Sequence, residues 1–311
     1  MTTALEPDLE LMAFTLESDD NYRVLRRFKP RTRFKESTLP PDRLGRGVVL
    51  DTETTGRDPA TDRIIELGLA AFTFDRETGE PVEILGTYNS LEDPGIPIDP
   101  AATRVNGITD EMVKGHRIDD VTVEKFVASA DLVIAHNAGF DREFCERRMP
   151  FFKDLAWACS RTQIDWEAEG IGGTKLDYIA FRMGFFYDAH RAEIDCLALL
   201  EVLARPLPVS GARGLLQLLE ASKQRQVRVW ATDAPFEKKG VLAARGYRWG
   251  DGTQGKEKAW YILIPEDKLE EELAWLRANV YRFPARVVID DVDALCRFSP
   301  RRIGTRTVRL S

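Results

Sequence analysis

VVLDTETTG, residues 48–56, places two carboxylates, Asp51 and Glu53, at the end of an apolar run. Val48, Val49 and Leu50 read as a buried strand, since a short apolar run bounded by turn residues has no solvated face. On a strand, residues two apart point the same way, so Asp51 and Glu53 share one side. An acidic pair at the mouth of a buried strand is costly without a positive partner. The Thr54-Thr55-Gly56 stretch adds hydroxyls and a turn whose backbone N–H groups can meet a phosphate or a terminal hydroxyl. By itself, an Asp-x-Glu pair is also compatible with a solvated strand face.

Two further stretches carry the same kind of residue. In LVIAHNAGFD (132–141) a second buried strand leads into a helix that Asp141 opens, a position that capping alone also favours. In HRAEID (190–195) Asp195 lies inside an apolar helix, Arg191–Leu203, that Pro206 ends, and capping does not account for a carboxylate there. His190 stands at or before the start of that helix, and histidine is the residue type suited to take a proton from water at neutral pH. Four carboxylates brought to one point repel one another. A pair of divalent metal ions is the economical counter-charge, and phosphodiester cleavage is the chemistry that most often uses such a pair.

Around these stretches the pattern is that of an α/β domain. Residues 63–75 and 81–91 read as two more strands, joined closely enough for an antiparallel meander. Residues 99–115 read as helix, tight turn at Asn106-Gly107, and helix; 119–130 and 138–148 as helices; 155–162 as a strand. Meandering strands followed by alternating helices and strands indicate a mixed sheet flanked by helices. Domains are expected at 46–205, after an N-terminal extension (1–45), and at 225–311, after a linker helix (206–224). Within 22–35, alternating basic and apolar residues suggest an edge strand or hairpin. The tail reads β-α-β-β-α-β, the order of a small ferredoxin-like α+β sheet ending in RVVID (286–290).

The 311 residues suffice for two domains, and 43% hydrophobic with 31% charged residues excludes a disordered or membrane-embedded chain. No apolar run approaches the ~20 residues that span a bilayer, and the acidic N-terminal stretch lacks a signal-peptide pattern. With four scattered cysteines and no CxxC pair, a cytoplasmic, reducing compartment is expected, without disulfides or zinc. The net charge of −7 is unevenly spread. Residues 46–224 hold 19 Lys+Arg against 31 Asp+Glu (net −12), whereas 225–311 hold 17 against 12 (net +5). An acidic metal-binding centre with basic flanks fits a polyanionic substrate.

DTETTG, HNAGFD and HRAEID, in this order, resemble the three motifs of the DEDDh group of 3′→5′ exonucleases, the superfamily of the proofreading epsilon subunit of bacterial DNA polymerase III. The resemblance covers about residues 46–205. It implies a ribonuclease-H-like mixed sheet. It also implies two Mg²⁺ or Mn²⁺ ions on Asp51, Glu53, Asp141 and Asp195, with His190 as general base and a nucleoside 5′-monophosphate as product. By the same match Thr54 and Thr55 contact the 3′-terminal nucleotide, His136 and Asn137 line the groove, and Ile65 and Glu66 lie on the substrate side; Phe140 is a packing residue. The chain departs from the pattern at VNGIT (105–109). Relatives often carry histidine where Asn106 stands, and Asn106 can make a hydrogen bond there but carries no charge.

The resemblance implies a nucleic-acid 3′ end as partner, DNA ahead of RNA or short oligonucleotides, since no clear reader of a 2′-hydroxyl is visible. A polymerase or repair partner is also implied, although Gln217-Leu218-Leu219 is a weak match to a clamp-binding peptide. The alternative of another class is a non-catalytic nucleic-acid-binding protein, against which all five catalytic positions speak. In the tail, Trp230, Tyr247, Trp249 and Trp260 interleave with Lys238, Lys239, Arg245, Arg248, Lys256 and Lys258. Such a pattern makes either a single-strand-binding surface or a small core with a basic rim.

Overall fold

The computed structural model describes residues 8–252 and 257–310; Lys256 lies outside them. After a short helix α1 (Leu9–Glu17) and the two-residue strand β1 (Arg26–Arg27) come three long strands: β2 (Leu44–Thr54), β3 (Ile64–Asp75) and β4 (Pro81–Leu91). Helices α2 (Pro100–Asn106), α3 (Asp110–Val113) and α4 (Asp120–Val127) follow, then β5 (Leu132–Ala135), α5 (Ala138–Arg148) and β6 (Trp157–Cys159). The first sheet has the order β4-β3-β2-β5-β6. β2, β3 and β4 are antiparallel, and β5 and β6 run parallel to β2, so the sheet is mixed as the pattern of strands predicts.

Strand parity divides this sheet into two cores. Val48, Leu50, Leu67 and Leu69 pack with α4 and α5, whereas Val49, Ala70 and Phe72 pack with α6 (Leu176–Arg182), α7 (Ala192–Ala204) and α8 (Gly214–Lys223). Burial on both faces explains why β3 reads as a nearly unbroken apolar run. The Asn106-Gly107 turn is as expected, with Gly107 at φ 72° closing α2.

The basic N-terminal segment forms an edge strand and no hairpin of its own. β1 pairs in parallel with β7 (Phe185–Phe186), just ahead of the loop that carries His190. Arg27 meets Asp188 at 2.8 Å, Arg31 meets Glu201 at 2.9 Å, and Phe28 and Phe34 pack on the core beneath.

The tail forms a second sheet from β8 (Gln226–Ala231), β9 (Arg248–Trp249), β10 (Trp260–Pro265), β11 (Ala285–Val292) and β12 (Ile303–Leu310), in the order β12-β11-β8-β10-β9. The first four strands have the antiparallel ferredoxin-like order, with α9 (Lys239–Arg245) and α10 (Leu269–Asn279) as the two crossovers. β12 was not expected. IGTRTVRL exposes five of its eight positions and turns only Val308 and Leu310 to the core, too short an apolar alternation to mark it as a strand. The connector between β11 and β12 docks against the first sheet: Ala294 accepts the Trp157 N–H at 2.8 Å. It also caps the fully buried Arg142 of α5, whose guanidinium donates to the carbonyls of Ala294 (3.2 Å), Leu295 (2.5 Å) and Arg297 (2.8 Å) while pairing with Glu146 at 2.7 Å. Among the described residues no helix is long and apolar enough to cross a membrane.

Candidate active site

Three elements deliver the acidic residues: β2 brings Asp51 and Glu53, α5 brings Asp141, and the first turn of α7 brings Asp195. Asp51 stands opposite Gly68 in the β2–β3 register. A Cβ on Gly68 would lie 2.3 Å from the Ala192 carbonyl carbon, so only glycine lets the start of α7 lie this close to β3. That approach brings carboxylate oxygens of Asp51, Glu53 and Asp195 within 4.8 Å of one another. Asp141 stays outside this trio. Its Oδ1 accepts the Thr52 N–H at 3.1 Å and the Thr52 hydroxyl at 2.8 Å.

Each of the other carboxylates except Asp51 is also held by neutral donors. Asp195 accepts the Tyr187 hydroxyl at 2.8 Å, the His190 N–H at 2.8 Å and the Arg191 N–H at 3.0 Å. Glu53 accepts the Asn106 side-chain amide at 3.1 Å. Among the described residues no lysine or arginine pairs with any of the four. Arg191, four residues before Asp195, is spent on Glu66 at 2.9 Å, and Arg142, next to Asp141, is spent on Glu146 at 2.7 Å.

The electrostatic result is a cluster that resists ionisation. Burial, reinforced by the charges of Asp141, Asp195 and Glu53, holds the Asp51 carboxyl well above the usual range. Burial pushes Glu53 up to about 7 against the opposing Asn106 hydrogen bond, and Asp141 up to about 7 against its Thr52 bonds. Asp195 is raised by burial, its hydrogen bonds from Tyr187, Arg191 and His190 opposing the shift. Hard oxygen donors converging without a cation fit a divalent ion such as Mg²⁺ or Mn²⁺.

His190 is one of three non-glycine residues with positive φ (70°) among the described residues. That left-handed turn directs its own N–H onto Asp195 and leaves the residue exposed at the rim. Asn137, at the N-terminus of α5, is exposed as well. His136 is different. It bridges Ser160 at 2.9 Å and the Thr174 carbonyl at 2.7 Å, and burial lowers its pKa to about 4. With Thr174 accepting, the ring is neutral with its proton on Nε2, a strut between β5 and the 174 loop.

Four residues expected on the substrate side are engaged within the protein. The Thr54 hydroxyl donates to the Gly56 carbonyl at 2.5 Å, and the Thr55 hydroxyl is engaged by the Arg63 N–H and Asp62, both at 3.1 Å. Both threonines are buried, so their side chains build the turn, and the Thr55 N–H donates to the Arg63 carbonyl at 2.9 Å. Ile65 is fully buried in a small cluster with Ile98, Ile108 and Val113, because its parity on β3 points it under α2 and α3. Glu66 is also fully buried, bound by Arg191 and by the Asn89 amide at 3.1 Å. Asn106 reaches Glu53 itself, not a separate phosphate position.

Thr52 and Tyr187, which hydrogen-bond Asp141 and Asp195, were passed over by motif reading. Thr52 was legible by parity: lying between two inward carboxylates, it must face the other way, toward α5. Nothing local singles out Tyr187, whose role depends on the β1–β7 edge folding back toward α7. The tail aromatics divide similarly. Trp230 and Tyr247 are buried and Trp260 packs on the helix side, leaving Trp249 as the well-exposed member of the four.

The exonuclease family model RNase_T matches residues 48–203. The epsilon subunit of DNA polymerase III from Treponema pallidum is 33% identical over 162 residues, covering 49% of this chain and 72% of that protein. The PolC-type DNA polymerase III of Thermotoga maritima is 28% identical over 197 residues, covering 61% of this chain. The chain spans only 14% of that polymerase's length. Among solved structures, Escherichia coli exonuclease I in complex with a dA16 oligonucleotide superposes with a TM-score of 0.45 at 16% identity, covering 76% of this chain and 68% of that one.

Proposed function

The chain belongs to the RNase_T exonuclease family, and on that footing we propose that it hydrolyses nucleic acid from the 3′ end, DNA ahead of RNA, to nucleoside 5′-monophosphates. The observation that supports this most is the trio Asp51, Glu53 and Asp195 within 4.8 Å, with no cation paired to it among the described residues. Asp51, Glu53, Asp141 and Asp195 would hold two divalent ions. When bound, these would acidify a water and neutralise charge on the scissile phosphate.

The chain's own residues supply position and proton transfer. Thr52 fixes Asp141, Asn106 fixes one oxygen of Glu53, and three donors fix Asp195, so the carboxylates are aimed before substrate arrives. His190, exposed at the rim, accepts the proton of the attacking water. The Thr54–Gly56 turn offers the Gly56 N–H to the terminal nucleotide, the Thr55 N–H being taken by the Arg63 carbonyl. A polymerase or repair complex is the proposed larger partner, since the Treponema relative bears the name of a polymerase subunit. Leu218 and Leu219 are buried in α8, so a clamp-binding role for Gln217-Leu218-Leu219 is not part of the proposal.

A time course on end-labelled linear DNA and RNA, single- and double-stranded, with Mg²⁺ and with chelator, tests the reading. Mononucleotides released from the 3′ end and silenced by chelator are expected. Equal degradation of closed circular DNA, or activity indifferent to chelator, would overturn it.

A further inference from the structure

One face of the C-terminal sheet is covered by its helices; on the other, Trp230 and Asp290 are buried beneath Arg302, while Arg228 and Tyr261 are half-exposed and Arg248, Arg286 and Arg309 are open. Val227, Val229, Ala231, Val287 and Ile289 point toward α9 and α10 and form the core. The alternate positions therefore line the other side. In register across the strands, Arg248, Tyr261, Trp230, Val288 and Thr307 make one row. Arg228 lies in the next row, opposite Leu263 and Asp290, and Arg286 pairs with Arg309 on the far side.

Arg228, Arg248, Arg286 and Arg309 thus share the open face, and among the described residues none forms a salt bridge. Asp290, which lies on this face, is consumed by Arg302, Trp230 and Thr305. Arg286 and Arg309 stand directly opposite each other on adjacent strands. Like charges in that position destabilise a sheet unless an anion answers them. Tyr261 sits among these groups, partly exposed, with Arg228 over its ring at 5.9 Å. Arg286 and Arg309 stand one strand apart, ~4.8 Å, and farther along the sheet Arg248 and Arg228 flank the Tyr261 ring, an arrangement that suits phosphates and a base of one flexible strand.

We propose that this open face holds a single nucleic-acid strand by its phosphates, as a docking surface separate from the carboxylate site. The proposal rests on the nuclease reading and names a second contact for the same substrate.

The test is binding of a fluorescent closed circle of single-stranded DNA, about 30 nucleotides and so longer than one such site covers, to the full chain in chelator. A circle has no 3′ end, so its binding does not depend on the exonuclease site. Reversing both charges (Arg286→Glu with Arg309→Glu) is expected to weaken binding at least ~10-fold at low salt. The double Arg→Gln variant should weaken it less. Both should flatten the dependence of log affinity on log salt by about 1.4, or 0.7 for each lost phosphate contact. Unchanged affinity in both variants, failure of the wild type to bind the circle, or its displacement by polyglutamate as readily as by linear DNA would each overturn the proposal. A wild type that degrades linear DNA but ignores the circle overturns the docking face alone. One that binds the circle but degrades nothing supports the face and overturns the nuclease reading.

Discussion

The side-chain amide of Asn106 donates to Glu53 Oε2 at 3.1 Å while its carbonyl oxygen accepts the Ile108 N–H at 3.0 Å. A neutral residue is thus locked by the turn after α2 and aimed at a carboxylate that burial drives toward protonation. Asn106→Ala removes the bond that opposes this shift. The Mg²⁺ concentration for half-maximal hydrolysis should rise ~10-fold, in the range typical of residues that orient metal-binding groups. A metal titration of the rate reads this directly, and an unchanged midpoint would remove Asn106 from the site.

Tyr187 supplies one of three donors to Asp195. Tyr187→Phe keeps the ring and deletes the hydroxyl, leaving the two backbone N–H donors. Turnover should fall about 10-fold with metal affinity, while far-UV dichroism stays unchanged. Thr52→Val should do the same through Asp141, which loses its 2.8 Å hydroxyl bond and keeps the 3.1 Å backbone one. Equal activity of either variant to wild type would show that its hydroxyl is dispensable.

The raised carboxyls give the metal-free protein a distinctive pH profile. Glu53 and Asp141 rise from 4.5 and 3.8 to about 7. Between those values the folded state holds more protons than the unfolded one, so stability falls as pH rises from about 4 through 7. Melting temperature in chelator should therefore drop from pH 5 to pH 8. Mg²⁺ should restore it at pH 8 and have little effect at pH 5, where the ligands are protonated. A metal-free melting temperature that climbs over this interval would contradict the assignment.

His190 combines a proposed chemical role with a left-handed backbone, φ 70°. Asparagine tolerates that conformation better than alanine. His190→Asn and His190→Ala should both lose roughly 10²–10⁴-fold in turnover, the range for a general base. Only the alanine variant should also melt earlier. Metal binding, followed by calorimetry, should survive in both; full turnover in either would exclude the ring from proton transfer.

The acidic constellation was legible because strand parity and helix position are local properties. VVLDTE says by itself that Asp51 and Glu53 point one way. Gly68 shows where that reading stops: its role depends on Ala192, far along the chain, so no window around it reveals why a side chain is forbidden. Glu66 shows the same limit. It lies opposite Glu53 beside the site, yet its pairing with Arg191 and Asn89 and its complete burial depend on distant parts of the chain. In the tail, strand order followed from the alternation of elements. Which aromatics are covered did not, because both faces of a small sheet carry rings and only packing chooses between them. β12 escaped because its exposed, Thr- and Arg-rich pattern gives too short an apolar alternation.

Arg142 gives the boundary between the two sheets an unusual character. Its guanidinium sits one residue after Asp141 and draws on three main-chain carbonyls from the far unit, with Arg301 adding a bond to the shared Glu146 at 3.2 Å. A fragment cut at residue 224 would leave that cation short of three acceptors beneath the helix that presents Asp141, a proposed metal ligand. Calorimetry of the intact chain should accordingly show one transition, and two well-separated peaks would argue otherwise. The seam behaves as a keystone joint, so a truncated nuclease unit would report on a damaged Asp141 as much as on a missing partner surface. Point substitutions on the outer face are the cleaner instrument for separating holding from cutting.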